Sequence, residues 1–241
     1  MEPRTYRHWI ESQELVAFHV TVKETDLYLR AMSNLARKAH RMVLKYRSML
    51  EKYIEHHPTF LTSLEPLPIP ENVPQIVVQM TEAAREASVG PMAAVAGAIA
   101  EFVGRELLEF SPEIIVENGG DIYLKSLKDR IIGIHAGRSP LTGKIGLEIA
   151  AQDTPIGICT SSGTVGHSLS FGKADAVVVL AQSAILADAA ATAIGNVIVQ
   201  SEDIGRGIEL AKGIKNLKGI VIIKGESFGA WGEVKLCETS T

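Results

Sequence analysis

A carboxylate and a hydroxyl stand four residues apart in a stretch made almost entirely of alanine and other apolar residues. They are Asp188 and Thr192 in the segment ADAAATAIGN, and a spacing of four puts both side chains on one face of a helix. Burying such polar groups costs free energy unless they have partners. Two interpretations follow: the pair binds a hard divalent cation such as Mg²⁺ beside a phosphate, or Asp188 only accepts hydrogen bonds from loop amides while Thr192 bonds back to its own helix.

A loop of small polar residues precedes that helix and offers a second kind of chemistry. Residues 160–168 read TSSGTVGHS, so Ser161, Ser162 and Gly163 supply hydroxyls and main-chain amides that suit phosphate or another anion. His167 has the chemistry of a general base near neutral pH, although a lone loop histidine is also often only solvated. The spacing is not that of a P-loop, a GxGxxG fingerprint or a GxSxG nucleophile elbow. The loop therefore predicts an anion site or, alternatively, a tight polar turn.

A turn motif separates two short apolar runs further towards the N-terminus, and its members are Asn118, Gly119, Gly120 and Asp121. Asn-Gly is a strong hairpin signal because both residues tolerate positive φ. The two glycines also let a ligand approach the backbone closely. We therefore expect a β-hairpin over residues 113–124 whose turn can face a ligand.

The elements that must position these residues are predicted as blocks of strands that alternate with blocks of helices. The pattern predicts a first strand that pairs with the last segment of the chain, and a terminal hairpin through 225–232. Further strands are predicted over 113–124, 130–136, 146–150, 155–159 and 174–180, and helices over 26–57, 74–88, 91–110, 185–198 and 201–214. Such blocks indicate an α+β fold with a largely antiparallel sheet. We expect one domain over 1–241, made of an N-terminal strand and long helix (1–57), a proline-rich connector (58–74) and a main body (75–241).

The predicted helix over 26–57 is basic and carries a narrow apolar seam. The basic residues suit either an arm for a polyanion or a solvated face packed on the body or on a second subunit. The lack of any accompanying nucleic-acid motif favours the second interpretation. The seam itself predicts self-association into a homo-oligomer, and its members are Met32, Leu35, Ala39, Met42, Tyr46, Met49 and Tyr53.

Composition excludes several classes of protein. The 24 basic and 28 acidic residues leave a net charge of −4, which is no signature of nucleic-acid binding. Charges interrupt the longest apolar runs, so that no membrane span is expected, and the N-terminus lacks an apolar signal core. Cys159 and Cys237 have neither disulfide nor zinc spacing and fit a reducing cytoplasm. Cys159, beside the serine loop, is either a nucleophile or a small buried apolar residue, which is the commoner use of a free cysteine.

In their order and spacing, these motifs resemble the ApbE superfamily, whose named members are magnesium-dependent FAD:protein FMN transferases. The likeness covers about residues 90–196. It rests on a glycine- and alanine-rich helix (GPMAAVAGAIAEFVGREL), the turn NGGD, the strand end CTSSG, a histidine and the helix start ADAAAT. The resemblance implies an ApbE-like, T-fold-related α+β fold with largely antiparallel sheets and packed helices.

The resemblance also implies roles for the residues that match. Asp188 and Thr192 match the pair that binds the metal, which implies Mg²⁺. The turn 118–121 matches the turn beside the flavin nucleotide, FAD or FMN, and residues 161–163 match the strand end near its phosphates. His167 matches the catalytic histidine. The implied function is a metal-dependent, transferase-type enzyme that binds a nucleotide or another small anionic ligand.

The chain departs from the flavin transferases at two motifs. Ala96, Gly97 and Ala98 stand where those proteins carry a Lys-Gly-Tyr-like segment, and GHSLSFG lacks the Asp-Pro of their histidine loop. The segments ETDLYLRA and SVGPMAAVAGAIAE instead resemble an uncharacterised archaeal and bacterial branch that has been linked to sulfur assimilation in homocysteine synthesis. The alternative function is therefore a protein of sulfur metabolism that keeps the fold and binds a small thiol or a partner protein.

Overall fold

The computed structural model describes residues 14–164 and 171–239 of the chain. Within these residues, two β-sheets and a set of α-helices form three layers. The strands are β1 Val16–Val22, β2 Thr25–Ala31, β3 Ile114–Asn118, β4 Asp121–Lys125, β5 Arg130–Gly133, β6 Ile145–Ile149, β7 Ile156–Ser161, β8 Ala176–Ala181, β9 Leu217–Lys224, β10 Ser227–Gly232 and β11 Leu236–Glu238. The helices are α1 Ala36–His56, α2 Thr59–Thr62, α3 Gln75–Glu86, α4 Val95–Leu107, α5 Ala184–Asn196 and α6 Ile204–Gly213.

The large sheet has the strand order β1-β2-β3-β4-β7-β8-β9-β10, and every neighbouring pair is antiparallel. The small sheet has the order β11-β6-β5 and is antiparallel too. Successive side chains of a strand point to opposite faces, so a sheet covered on both faces is apolar along its strands. In β3, Val116 belongs to the core shared with the helices and Ile115 to the core shared with the small sheet. The expected α+β fold is confirmed.

The predicted boundary between the first strand and the first helix is wrong. Residues Thr25–Ala31 form β2, which pairs with β1 as an antiparallel hairpin, and the helix begins only at Ala36. The reason is the alternation of Leu27 and Leu29, both fully buried, which has the two-residue period of a strand. The partner of β1 is therefore the segment that follows it, and not the last segment of the chain.

Helix α1 packs within the chain, against α4 and β1. Its buried residues are Ala39, Val43, Tyr46 and Leu50. Met32, the first member of the predicted seam, lies before the helix and is 54% exposed. Because the buried stripe is covered by the same chain, it gives no argument for self-association, and the homo-oligomer stays a prediction.

The proline-rich connector follows the prediction in part. Its single turn of helix, α2, precedes the cluster of prolines at 66–70, where the chain is extended or irregular. Phe60 is buried in the main core. Leu61 and Leu64 are exposed.

Helices α4 and α5 cross closely beneath the large sheet, where they lie against β3, β7 and β8. A Cβ built at Gly97 would lie 2.2 Å from the carbonyl oxygen of Ala184, and one built at Gly157 would lie 2.3 Å from the Ala184 Cα. Any larger side chain would hold these backbones apart. This contact explains why the two helices are so rich in glycine and alanine.

None of the helices among the described residues is by itself both long and apolar enough to cross a membrane. The segments Gln75–Ala87 and Pro91–Leu107 have the length and composition of a membrane span only when they are taken together, and they meet at a bend of 105°.

Candidate functional site

Asp188 lies in the second turn of α5, and its carboxylate caps the start of α4. The Gly97 amide donates a hydrogen bond of 2.8 Å to Asp188 Oδ2, and the Ala96 amide donates a second bond. Both amides belong to the first turn of α4, where N–H groups have no partner inside the helix. The partial positive charge of a helix N-terminus also favours a carboxylate there. Asp188 therefore has the hydrogen-bonding role that one interpretation gave it, with helix amides in place of loop amides.

Thr192 lies one turn further along α5, on the same face as Asp188. Both residues are half-buried, whereas most of α5 is fully buried. Asp188 and Thr192 therefore lie on the part of α5 that is not fully covered by the rest of the protein. A ligand could reach both oxygen-bearing side chains from that side.

The predicted hairpin is present, and its turn contacts the same helix start. Asn118 pairs with Asp121, so the two loop residues are Gly119 and Gly120, with φ of 69° and 112°. Such angles strain any residue with a Cβ. The Asn118 Nδ2 donates a 3.0 Å bond to the carbonyl oxygen of Ala96. The turn 118–121 and Asp188 are thus held at the two sides of the first turn of α4.

Asp121 adds a second carboxylate near the half-buried Asp188, and this second carboxylate is buried. Its Oδ1 accepts a 3.2 Å hydrogen bond from the Thr160 amide, at the end of β7. Burial raises the pKa of Asp121 well above its usual value, and the negative charge of Asp188 raises this pKa further. Burial also raises the pKa of Asp188 to about 7, against the two amide bonds, which lower it. Two neighbouring carboxylates that are desolvated in this way must share a proton or have their charge compensated by a cation.

Cys159 lies near both carboxylates and is fully buried. Its thiol lies 3.2 Å from the carbonyl oxygen of Ala184, to which it donates, and it also contacts Asp121. Burial raises the pKa of the thiol, and the charges of Asp121 and Asp188 raise it further. Because the thiolate is the nucleophile, a buried, protonated thiol is inert. The structure therefore favours the apolar, structural interpretation of Cys159.

The serine loop lies further along α5. Ser161 ends β7, and its Oγ lies 3.3 Å from the position that a Cβ at Gly195 would take. The Ser162 Oγ accepts a 3.1 Å bond from the Thr164 amide, and the Gly163 amide donates a 2.9 Å bond to the carbonyl oxygen of Ala174. These residues flank the C-terminal half of α5, whereas Asp188 lies near its start. A ligand that contacts both must lie along the helix over about two turns, which is about 10 Å.

His167, the predicted catalytic residue, lies outside the described residues. His135, which follows β5, is half-buried next to the small sheet. That sheet packs on the face of the large sheet opposite the helices. His135 therefore does not join Asp188 and Asp121.

Sequence reasoning missed Glu101, which positions α5. This fully buried carboxylate accepts a 2.9 Å bond from the Ser183 Oγ and a 3.2 Å bond from the Ile185 amide, and it pairs with Arg105. Ser183 is the N-cap of α5 and Ile185 lies in its first turn. A glutamate inside an otherwise apolar helix could have indicated a buried polar contact, although the sequence does not show which residues Glu101 would contact.

The donor set suits a small hard cation only if oxygens other than carboxylates take part. Among the described residues, no three His, Cys, Asp or Glu side chains are grouped so that they could hold a metal ion. Mg²⁺ is typically bound through one or two carboxylates together with water and substrate phosphates. Asp188, Asp121 and the Thr192 hydroxyl meet that description, so these residues fit Mg²⁺.

Comparison with known proteins agrees with this architecture. The sequence profile of the family described as "AbpE bacteria" matches residues 7–212. A UPF0280 protein of Methanococcus vannielii is 47% identical over 194 residues, which cover 79% of this chain and 78% of that protein. A UPF0280 protein of Methanocaldococcus jannaschii is 48% identical over 180 residues, which cover 73% of each chain.

Solved structures show the same fold at low sequence identity. The flavinyl transferase ApbE of Pseudomonas stutzeri, in its apo form, gives a TM-score of 0.58 at 16% identity over 90% of this chain and 93% of that chain. The ApbE protein of Thermotoga maritima gives 0.58 at 14% identity over 91% of this chain and 97% of that one. The chain therefore belongs to the AbpE bacteria family and has the ApbE-like fold that its sequence motifs predicted.

Proposed function

We propose that this protein binds Mg²⁺ together with a nucleotide, FAD or FMN foremost, at the surface between α5 and the turn 118–121, called the cleft below, and that it acts as a transferase-type enzyme. The observation that carries the proposal is the pair of neighbouring carboxylates, the buried Asp121 and the half-buried Asp188, with the Thr192 hydroxyl one turn away. Two such charges close together raise the free energy of the folded state unless a proton or a cation compensates them.

Asp188 and Thr192 would hold the cation, with Asp121 next to them. When bound, Mg²⁺ supplies charge stabilisation on a phosphoryl oxygen. The amides and hydroxyls of residues 161–163 would bind the remaining phosphate oxygens. Gly119 and Gly120 present backbone without side chains, which leaves room for a flat ring system to approach. His167 is proposed as the group that takes or gives a proton.

The likeness in fold to the flavinyl transferase ApbE of Pseudomonas stutzeri supports the same class of ligand. Asp188 lies near the start of α5 and Ser161 lies against Gly195 near its end, so the carboxylate and the proposed phosphate-binding residues are separated along the helix as the parts of an extended nucleotide would require. We expect no role for nucleic acid.

Titration of the full chain by calorimetry tests the proposal. We expect FMN or FAD to bind in the presence of Mg²⁺ and to bind at least about tenfold more weakly when the cation is chelated. Asp188→Asn keeps an oxygen that can accept from the Gly97 amide but removes the charge, so it should abolish the effect of Mg²⁺ and leave the fold intact. The matched control is Asp153→Asn, which changes an exposed carboxylate in the turn before β7, at the end of that strand opposite Ser161. No binding of FMN, FAD or ATP to the wild type, with or without Mg²⁺, would refute the proposal.

A second function, in sulfur metabolism without flavin chemistry, is favoured by one observation. Ala98 is fully buried in the main core at the position where the flavin transferases resembled here carry an aromatic residue. The alternative predicts that a deletion strain needs homocysteine or methionine when sulfide is low, and that the purified protein binds no flavin. Normal growth at low sulfide would exclude it.

A further inference from the structure

The first half of α1 carries a basic surface that the proposed function does not use. No Asp or Glu occurs between residues 27 and 50, although the whole chain is acidic. The exposed residues of this half-helix include Arg37, His40, Arg41 and Lys45. The positive charge is therefore concentrated on one side of a molecule whose net charge is −4.

Only part of this charge is compensated within the chain. Lys45 pairs with Glu106 at 2.5 Å, and Lys38 lies over the Phe110 ring at 3.7 Å. Among the described residues, Arg37 and Arg41 have no ion pair with an acidic side chain. They are four residues apart, so the two guanidinium groups extend from the same helix face.

This arrangement opposes the stability of the helix itself. The first turn of α1 contains no acidic residue, and the neutral Asn34 side chain, whose Oδ1 accepts a 3.0 Å bond from the Ala36 amide, supplies no negative charge there. Arg37 and Lys38 stand in that turn, where positive charge is unfavourable because the helix dipole is positive at its N-terminus. Basic residues in such a place cost the fold some stability, which points to a use outside the fold.

The surface also has an apolar centre. Leu44 follows Arg41 by three residues on the same side and is 46% exposed. The apolar stripe of α1 that could enter a lipid bilayer is buried against the protein. A phosphate backbone would leave Leu44 uncovered, whereas a polypeptide with acidic and apolar side chains would cover both the leucine and the arginines.

We infer that the exposed face of α1, made of Arg37, His40, Arg41 and Leu44, is a docking surface for an acidic segment of a partner protein. Charge complementarity steers such a segment to the arginines, and Leu44 provides the contact that excludes water. This inference does not depend on the proposed function of the cleft.

The test uses the full chain and a fluorescein-labelled peptide that alternates glutamate with leucine. We expect salt-sensitive binding by fluorescence anisotropy. The double variant Arg37→Glu/Arg41→Glu should weaken it at least about tenfold. The matched control Lys144→Glu/Lys215→Glu makes the same change in net charge at two other exposed lysines and should bind like the wild type. Leu44→Ser should weaken binding of this peptide but not of a peptide made of glutamate alone.

Competing ligands are examined in the same way. A single-stranded DNA of equal charge and vesicles that contain phosphatidylserine should bind more weakly than the peptide. Tighter binding of either one, equal losses in the two double variants, or no binding of the peptide at low salt would overturn the inference. Circular dichroism of each variant confirms that its helices are intact, so that a loss of binding is assigned to the surface.

Discussion

Replacing Gly97 by alanine should force α4 and α5 apart at the point where the candidate site is built. The new Cβ would lie 2.2 Å from the carbonyl oxygen of Ala184, 2.8 Å from its carbonyl carbon and 2.9 Å from the Asp188 Cβ. Two of these atoms are backbone atoms of a packed helix and cannot rotate away. Overpacking of this kind costs about 1–3 kcal/mol, and so severe a contact belongs at the upper end.

Alanine also has a higher helix propensity than glycine, by about 1 kcal/mol. The net expectation for Gly97→Ala is therefore a loss of about 2 kcal/mol in the free energy of unfolding. The matched control is Gly205→Ala in the first turn of α6, where a Cβ would meet no atom within 4 Å. There the propensity acts alone and should stabilise the protein by about 0.5–1 kcal/mol.

Urea denaturation followed by circular dichroism measures both changes. The two variants should differ by about 2–3 kcal/mol and have opposite signs. Gly97→Ala should also weaken any Mg²⁺-dependent ligand binding, because it displaces Asp188, whereas Gly205→Ala should not. If Gly97→Ala is as stable as the wild type or stabilised like the control, the close crossing of the two helices is refuted.

Three further predictions concern pH, thiol reactivity and the ligand. Burial raises the pKa of Glu113, but hydrogen bonds and the charge of Arg130 more than offset this, so the pKa in the folded protein is lowered. The stabilisation that Glu113 contributes to the fold is therefore complete above its unfolded pKa of about 4.3. This stabilisation is lost as the pH falls through the pKa of the folded protein. Wild type should therefore lose more stability than Glu113→Gln between about pH 5 and 3 in urea titrations, and equal losses would contradict this. In the native protein Ellman's reagent should label the half-exposed Cys237 first and Cys159 only after unfolding; early labelling of Cys159 would show that the core opens there. Phe171 is 59% exposed and precedes Gly172, which lies against Gly163. If its ring stacks on a flat part of the ligand, Phe171→Ala should weaken flavin binding about tenfold with unchanged thermal stability, and unchanged affinity would exclude that contact.

The parts of the fold that depend on neighbouring residues could be predicted from the sequence. The hairpin around 118–121 follows from Asn-Gly-Gly, because few residues tolerate the positive φ that its turn requires. The strand β8 follows from an uninterrupted apolar run that both cores cover. In contrast, the segment 26–31 mixes charged and apolar residues in a way that suits both a helix and a strand, and only its pairing with β1 decides the outcome.

The site itself depends on contacts that no local pattern contains. Gly97 and Asp188 are 91 residues apart in the chain, and Glu101 and Ile185 are 84 apart. The spacing of Asp188 and Thr192 indicated a common helix face, but it did not reveal which amides the carboxylate would meet. The sequence offered burial of Cys159 as one of two interpretations, and only its position inside β7 against Ala184 of α5 decides between them.

Helices α4 and α5 cap each other. The Asp188 carboxylate of α5 accepts from the first turn of α4, and the Glu101 carboxylate of α4 accepts from the first turn of α5. A cation bound by Asp188 would weaken the hydrogen bonds that this carboxylate accepts from the first turn of α4, whereas the bonds that Glu101 accepts from α5 would stay. If a ligand binds at Asp188, the order of the first turn of α4 is therefore coupled to that binding, and amide hydrogen exchange at Ala96 and Gly97 is expected to report it.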